Sequence, residues 1–195
     1  LLNKENPIAV GPLDLQPHYF EHKKQQAEAM KNAKRVLLEV SADFEKMTGR
    51  KYGLFEEYMT DDAEVCVVVL NSTAGTAKFV VNKLREQGKK VGLIKPRLYR
   101  PFPVDEIVEA LSKFKAIAVM DKTDSFNDAG GPLYSDVTSA LYAKGVFQPK
   151  VINYIYGLGG RDVKADDIEF VYDEVLKIAE TGNVESVYNY LGVRE

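Results

Sequence analysis

The stretch EVCVVVLNSTAGT, residues 64–76, decides the fold of this chain. Its first half is apolar and rich in valine, which is typical of a strand buried on both faces of a parallel sheet. Small and hydroxyl side chains then form a turn that opens a helix, and Gly88 is placed to end that helix. A buried strand followed directly by a helix is half of a βαβ unit.

The same alternation continues to the end of the chain. Strands are predicted at 90–96, 116–120 and 151–156, and helices follow at 104–113, 132–142 and 165–180. Since such units join through right-handed crossovers, we predict an α/β fold with a mostly parallel sheet of about four to five strands flanked by helices. Apolar residues at three- and four-residue steps predict a long N-terminal helix before it, over 18–47. The expected segments are a linker from an upstream domain (1–17), the long helix and a connector (18–62), and the α/β domain (63–195).

Composition excludes several classes of protein. The 195 residues carry a formal net charge of −3, which argues against a nucleic-acid partner. No apolar run approaches the roughly 20 residues that span a bilayer, so no membrane partner is expected. A single cysteine, Cys66, excludes a disulfide framework and favours a reducing, cytoplasmic setting. The chain does not begin with methionine, which suggests a fragment or a processed product.

Four loops at the carboxyl ends of the predicted strands, at 71–76, 97–103, 121–132 and 157–162, are the candidate contact sites, because ligands and partners collect at that edge of a parallel sheet. The first loop could hold an anion at the start of its helix, or could simply cap that helix. The second could grip a carboxylate or phosphate through its arginines, or dock on another subunit. The loop at 157–162 places glycines beside an arginine and an acid. It follows the last predicted strand, whereas a dinucleotide-binding motif follows the first. The candidate interface or ligand-contact residues are Ser72, Thr73, Gly75, Thr76, Arg97, Arg100, Gly157, Gly159, Gly160, Arg161 and Asp162.

No catalytic or metal-binding set is complete in the sequence. His18 and His22 share a helix face but have no further zinc ligand. The acids of the loop at 121–132 lack the spacing of a calcium loop. Ser72 and Ser125 have no histidine base downstream. We therefore expect no catalytic residue and no metal site in this chain.

Six motifs, in order and in register, carry a resemblance to a known family. They are DDAEV (61–65), STAGT (72–76), GKKVGL (88–93), RLYRPFP (97–103), DKT (121–123) and GLGGRD (157–162). Together they resemble the C-terminal part of the alpha subunit of pyruvate:ferredoxin oxidoreductases, or pyruvate synthases. The resemblance implies a transketolase C-terminal-like domain, called domain II. The RPFP form at 100–103 is more similar to the pyruvate branch than to the 2-oxoglutarate branch, where WPFP is usual.

The resemblance implies a division of labour. The complete enzyme would use thiamine diphosphate, magnesium and iron–sulfur clusters to convert a 2-oxoacid and coenzyme A to an acyl-CoA, with electrons passed to ferredoxin. Those cofactors would bind to other domains and subunits, so this fragment would be an inactive structural and assembly domain that binds none of them alone. Two alternatives stay open: an independent nucleotide- or CoA-binding α/β module, and a plain interaction domain.

Overall fold

A computed structural model describes residues 3–8, 11 and 13–194. Part of the predicted linker at 1–17, namely residues 1–2, 9–10 and 12, lies outside the described residues, as does residue 195. The sheet has six strands in the order β1-β3-β2-β4-β5-β6, and only β1 runs antiparallel to its neighbour. The strands are β1 (Phe55–Tyr58), β2 (Val65–Val69), β3 (Val91–Pro96), β4 (Ala116–Asp121), β5 (Lys150–Ile155) and β6 (Tyr188–Tyr190).

The α/β class and the parallel sheet are confirmed, but the strand count was too low. Strand β1 lies inside the predicted connector and pairs with β3, and β6 lies in the tail and pairs with β5. Both are edge strands with sequences FEEY and YNY, and both stay partly exposed. An edge strand needs no continuous apolar run, so neither carried the signal that marks a buried strand.

Five helices accompany the sheet: α1 (Gln16–Thr48), α2 (Thr73–Glu86), α3 (Val104–Leu111), α4 (Pro132–Ala143) and α5 (Ala165–Thr181). Every residue of β2 is buried, as expected of a strand covered on both faces. Val65, Val67 and Val69 pack in a core with α2 and α5, whereas Cys66 and Val68 pack in a second core with α3 and α4. The sheet is thus covered by one helix layer on each face.

Helix α1 is set apart from these layers. It is 33 residues long, ends at Gly49 in a left-handed conformation, and buries none of its residues. A link to the domain runs from Lys34 Nζ to Glu106 Oε1, 2.8 Å apart. None of the helices described is both long and apolar enough to cross a membrane.

Candidate functional site

A cavity of about 540 Å³ opens at the carboxyl edge of the sheet, where residues 70–73 follow β2 and residues 120–123 close β4. The chain leaves β2 toward β3 on one side and later returns to β4 on the other side of β2. This reversal of strand order is the point where open α/β sheets form their ligand crevices. The cavity is therefore the candidate functional site.

The floor of the cavity is built around Asp121, the last residue of β4. Its carboxylate accepts hydrogen bonds from the backbone N–H groups of Leu133 (2.8 Å) and Tyr134 (3.1 Å) at the start of α4. It also accepts one from Asn153 Nδ2, at 2.9 Å. Burial raises the pKa of Asp121, and the three donors act in the opposite direction. The Asp121 carboxylate therefore caps the start of α4, and its hydrogen-bond partners belong to this chain.

Asn153 in β5 and Gly131 complete this network. Asn153 is fully buried, donates also to the carbonyl oxygen of Val119 at 2.8 Å, and accepts from the Gly131 N–H at 2.8 Å. A Cβ on Gly131 would lie 2.4 Å from Asp121 Cγ, so only glycine fits here without a shift of the carboxylate. The network fixes where α4 begins relative to β4 and β5.

The walls of the cavity include two of the predicted contact residues. Thr73 is buried, and its hydroxyl accepts a hydrogen bond of 2.9 Å from the Tyr156 hydroxyl. Ser72 is exposed at the same wall, beside the start of α2. Lys122 lies at the rim and its side chain rests against Gly157, where an added Cβ would be 3.0 Å from Lys122 Cε. The loop at 71–76 therefore lines this cavity, whereas the loop at 157–162 adjoins it only through the contact of Gly157 with Lys122.

The two arginines of the second loop have carboxylate partners within the chain. Arg97 lies 2.8 Å from Glu56, and Arg100 lies 2.8 Å from Asp136. Each guanidinium also covers a tyrosine ring, with 4.5 Å from Arg97 to the centre of Tyr52 and 4.1 Å from Arg100 to Tyr99. An outside carboxylate or phosphate would have to compete with these pairs. Their contact with another molecule stays a prediction.

The remaining predicted residues lie away from the cavity. Arg161 and Asp162 line a separate cleft of about 270 Å³, and Arg161 Nη1 donates to the Gly192 carbonyl oxygen at 2.6 Å. Gly159 and Gly160 are exposed with φ of 66° and 82°, and nothing lies within 4 Å of an added Cβ. The left-handed backbone explains these glycines without a close neighbour. Gly75 and Thr76 lie in the first turns of α2.

The described part of the chain holds no reactive constellation. Cys66 is buried within the sheet, and burial raises the pKa of its thiol. No group of three or more His, Cys, Asp and Glu side chains among these residues could hold a metal ion. Asp124 accepts hydrogen bonds from the hydroxyls of Tyr188 and Tyr190 and so ties the loop at 121–132 to β6.

Two residues of the site were missed from the sequence. Asn153 and Tyr156 belong to the last buried strand and its end, and they were assigned to the strand without further role. An asparagine inside the run VINYI is a detectable signal, because a buried amide needs partners. Its partners come from β4 and the start of α4, which only the three-dimensional arrangement brings together.

The architecture is that of a transketolase-like α/β domain. A solved structure described as a split gene transketolase, inactive beta4 tetramer, superposes with a TM-score of 0.51. The alignment covers 67% of this chain and 44% of that chain at 14% sequence identity. At this level of identity the likeness shows the fold alone.

A family model then identifies the domain more closely. The model of the pyruvate:ferredoxin oxidoreductase core domain II matches residues 63–168, and the chain belongs to this family. The family resemblance that the six sequence motifs carry is confirmed.

Curated relatives extend the match over the whole chain. Pyruvate synthase subunit PorA of Thermotoga maritima is 45% identical over 196 residues, which cover 100% of this chain and 48% of that protein. Ketoisovalerate oxidoreductase subunit VorA of Pyrococcus abyssi is 39% identical over 186 residues, or 95% of this chain and 47% of that protein. The chain thus spans about half the length of the curated relatives it matches.

Proposed function

We propose that this chain is a non-catalytic assembly domain of a thiamine-diphosphate-dependent 2-oxoacid:ferredoxin oxidoreductase that acts on pyruvate. The observation that carries the proposal is 45% identity to a pyruvate synthase subunit over the whole chain. The ketoisovalerate relative is 39% identical, and the RPFP motif at 100–103 also favours pyruvate. The complete enzyme would form acyl-CoA from the 2-oxoacid and coenzyme A and reduce ferredoxin, in the cytoplasm.

The described residues offer no ligand set for an iron–sulfur cluster or for a metal ion held by three or more side chains. An iron–sulfur cluster takes about four cysteine thiolates, whereas the chain has one cysteine and buries it. No group of three or more His, Cys, Asp and Glu side chains among residues 3–8, 11 and 13–194 could hold a metal ion. As the resemblance of the sequence implies, thiamine diphosphate, magnesium and the clusters would bind elsewhere in the enzyme. Alone, the fragment would have no activity.

The strand-end loops would instead contact neighbouring domains. Arg161, Gly159 and Gly160 are exposed in the loop that follows β5. Arginine is enriched at protein interfaces, where its planar group can bond to carboxylates or backbone oxygens. The same loop can therefore bond to its own Gly192 and to a neighbour.

Reconstitution of the full-length subunit with its partners tests this role. Arg161→Ala should reduce both the assembled fraction and the total turnover by about threefold or more, because truncated interface arginines cost affinity. Lys150→Ala is the matched control, since Lys150 is an exposed cation at the opposite, amino end of β5. Wild-type assembly and turnover for Arg161→Ala would show that the loop is not a functional contact.

A second candidate function, an independent nucleotide- or CoA-binding module, is favoured by one observation. The cavity of about 540 Å³ lies at the reversal of strand order and includes Ser72 at the start of α2. Calorimetric titration of the full-length subunit with coenzyme A or ADP tests it. Micromolar binding that Ser72→Phe abolishes would support this function. If neither coenzyme A nor ADP binds and Ser72→Phe lowers the assembled fraction, the result would support the assembly domain.

A further inference from the structure

The N-terminal half of α1 exposes a few apolar side chains, Tyr19, Phe20, Ala27 and Met30, without a covering partner among the described residues. All residues from 16 to 32 are exposed, which corresponds to about 25 Å of helix at the usual rise per residue. Phe20 is 79% exposed and Tyr19 is 52% exposed. A helix of this length gains most of its stability from packing of its apolar side, so this half lacks its usual support.

The apolar line continues from the half of α1 that does contact the domain. Leu37 and Phe44 are partly buried, and the Phe44 ring centre lies 5.6 Å from that of Tyr52. Met30 is two helical turns before Leu37 and therefore lies on the same side. Nevertheless Met30 remains 37% exposed.

The opposite side of α1 is already suited to water. It carries ion pairs within the helix between Lys31 and Glu28 (2.8 Å) and between Lys46 and Asp43 (2.9 Å). Arg35 and Glu39 form another such pair. Tyr19, Ala27 and Met30 lie on the other side, interrupted by Lys23, whose ammonium lies 5.6 Å from the centre of the Tyr19 ring. A charged side opposite an apolar stripe is the pattern of a helix that packs on one face. We therefore expect the apolar side of α1 to pack against a partner surface.

The length of the relatives indicates which partner this is. The match to the Thermotoga maritima subunit includes all of α1, yet it covers only 48% of that subunit. In such a protein the helix belongs to a polypeptide that is about twice as long as the matched part. A segment of the same polypeptide is present at high effective concentration, whereas a separate partner must bind from solution.

We propose that the apolar side of α1 over residues 16–32 packs against the part of the same subunit that lies outside these 195 residues. The helix then joins the two halves of the subunit: residues 33–45 contact this domain through the Lys34–Glu106 ion pair and the Phe44–Tyr52 ring pair, and residues 16–32 pack on the other half. This inference rests on the proposed function, since it takes the subunit to have the length of its relatives.

Thiol labelling of the full-length subunit, without partner subunits, tests the packing. Met30→Cys places a thiol on the apolar side, and Asn32→Cys places one on the exposed polar side two residues away. We expect a maleimide to label Met30→Cys about tenfold more slowly than Asn32→Cys, because a packed thiol reacts only after local opening. Peptide-resolved mass spectrometry separates these sites from other cysteines.

Three other labelling outcomes contradict the proposal. Equal rates would mean that nothing covers α1. Slow labelling only after partner subunits are added would assign the surface to a partner, and slow labelling that disappears on dilution would assign it to a second copy. The proposed function is read separately from the turnover of the reconstituted wild-type enzyme. If Met30→Cys is protected from the maleimide but the reconstituted enzyme shows no 2-oxoacid turnover, the proposed function would be contradicted and the proposed packing would stand.

Discussion

Helices α1 and α5 have the same kind of sequence pattern but opposite surroundings. The 17 residues of α5 bury five side chains against the sheet, whereas the 33 residues of α1 bury none. Both repeat apolar residues at three- and four-residue steps. The difference teaches that such a pattern reports the need for a packing partner and does not say where that partner is. For α5 it is the sheet, and for α1 we infer the rest of the subunit.

The largest expected effect is at Tyr172 in α5. This side chain is fully buried and its hydroxyl donates to the Gly92 carbonyl oxygen at 3.0 Å. Tyr172→Ala would leave a cavity between α5 and the sheet and remove this hydrogen bond, so the free energy of unfolding should fall by about 3–5 kcal/mol. Urea unfolding of the chain measures this. A loss below about 1 kcal/mol would contradict the packing of α5.

The network around Asp121 ranks next. Asp121→Ala leaves two N–H groups of α4 and the Asn153 amide without their acceptor. The free energy of unfolding should fall by about 2–3 kcal/mol, because buried donors then lack a partner. Denaturant unfolding measures the loss, and Asp128→Ala in the same loop is the exposed control. Equal stability of the two variants would mean that Asp121 does not hold α4.

A smaller and pH-dependent effect is expected at Glu56 on the edge strand β1. Lys78, and next Arg97, lower the pKa of this carboxyl. A lowered pKa stabilises the fold above the ordinary carboxyl value, and this contribution is lost as the pH falls through the folded pKa. Glu56→Gln should therefore cost about 0.5–1 kcal/mol at neutral pH. The gap to wild type should close in acid, so a gap that is unchanged at about pH 3 would contradict the assignment.

The smallest effect is expected at Met30 in α1. In the 195-residue chain, Met30→Ala should change the free energy of unfolding by less than about 0.5 kcal/mol, because the side chain has little to lose. The same substitution in the full-length subunit should cost clearly more, since there the side chain would be packed. The comparison of α1 with α5 breaks down if Met30→Ala is as costly in the short chain as in the long one.

How much the sequence predicts depends on how locally each feature is encoded. The run VCVVV at 65–69 marked a doubly covered strand, and its full burial confirms that reading. The edge strands β1 and β6 were not predicted from the sequence. They form by pairing with β3 and β5, and such pairing tolerates polar residues. The Asp121–Asn153 bond joins residues 32 positions apart, so the register of β4 and β5 must be known before it can be found.

The most direct test of the central claim, that this domain docks without reacting, is the turnover per assembled complex of the reconstituted full-length enzyme. Ser72→Ala and Arg161→Ala serve as probes of the two cavities at the strand ends. We expect turnover per assembled complex to stay within about twofold of wild type, because these residues would touch no reacting atom. A fully assembled complex whose turnover falls about tenfold or more would place the substituted residue in the chemistry and contradict the claim.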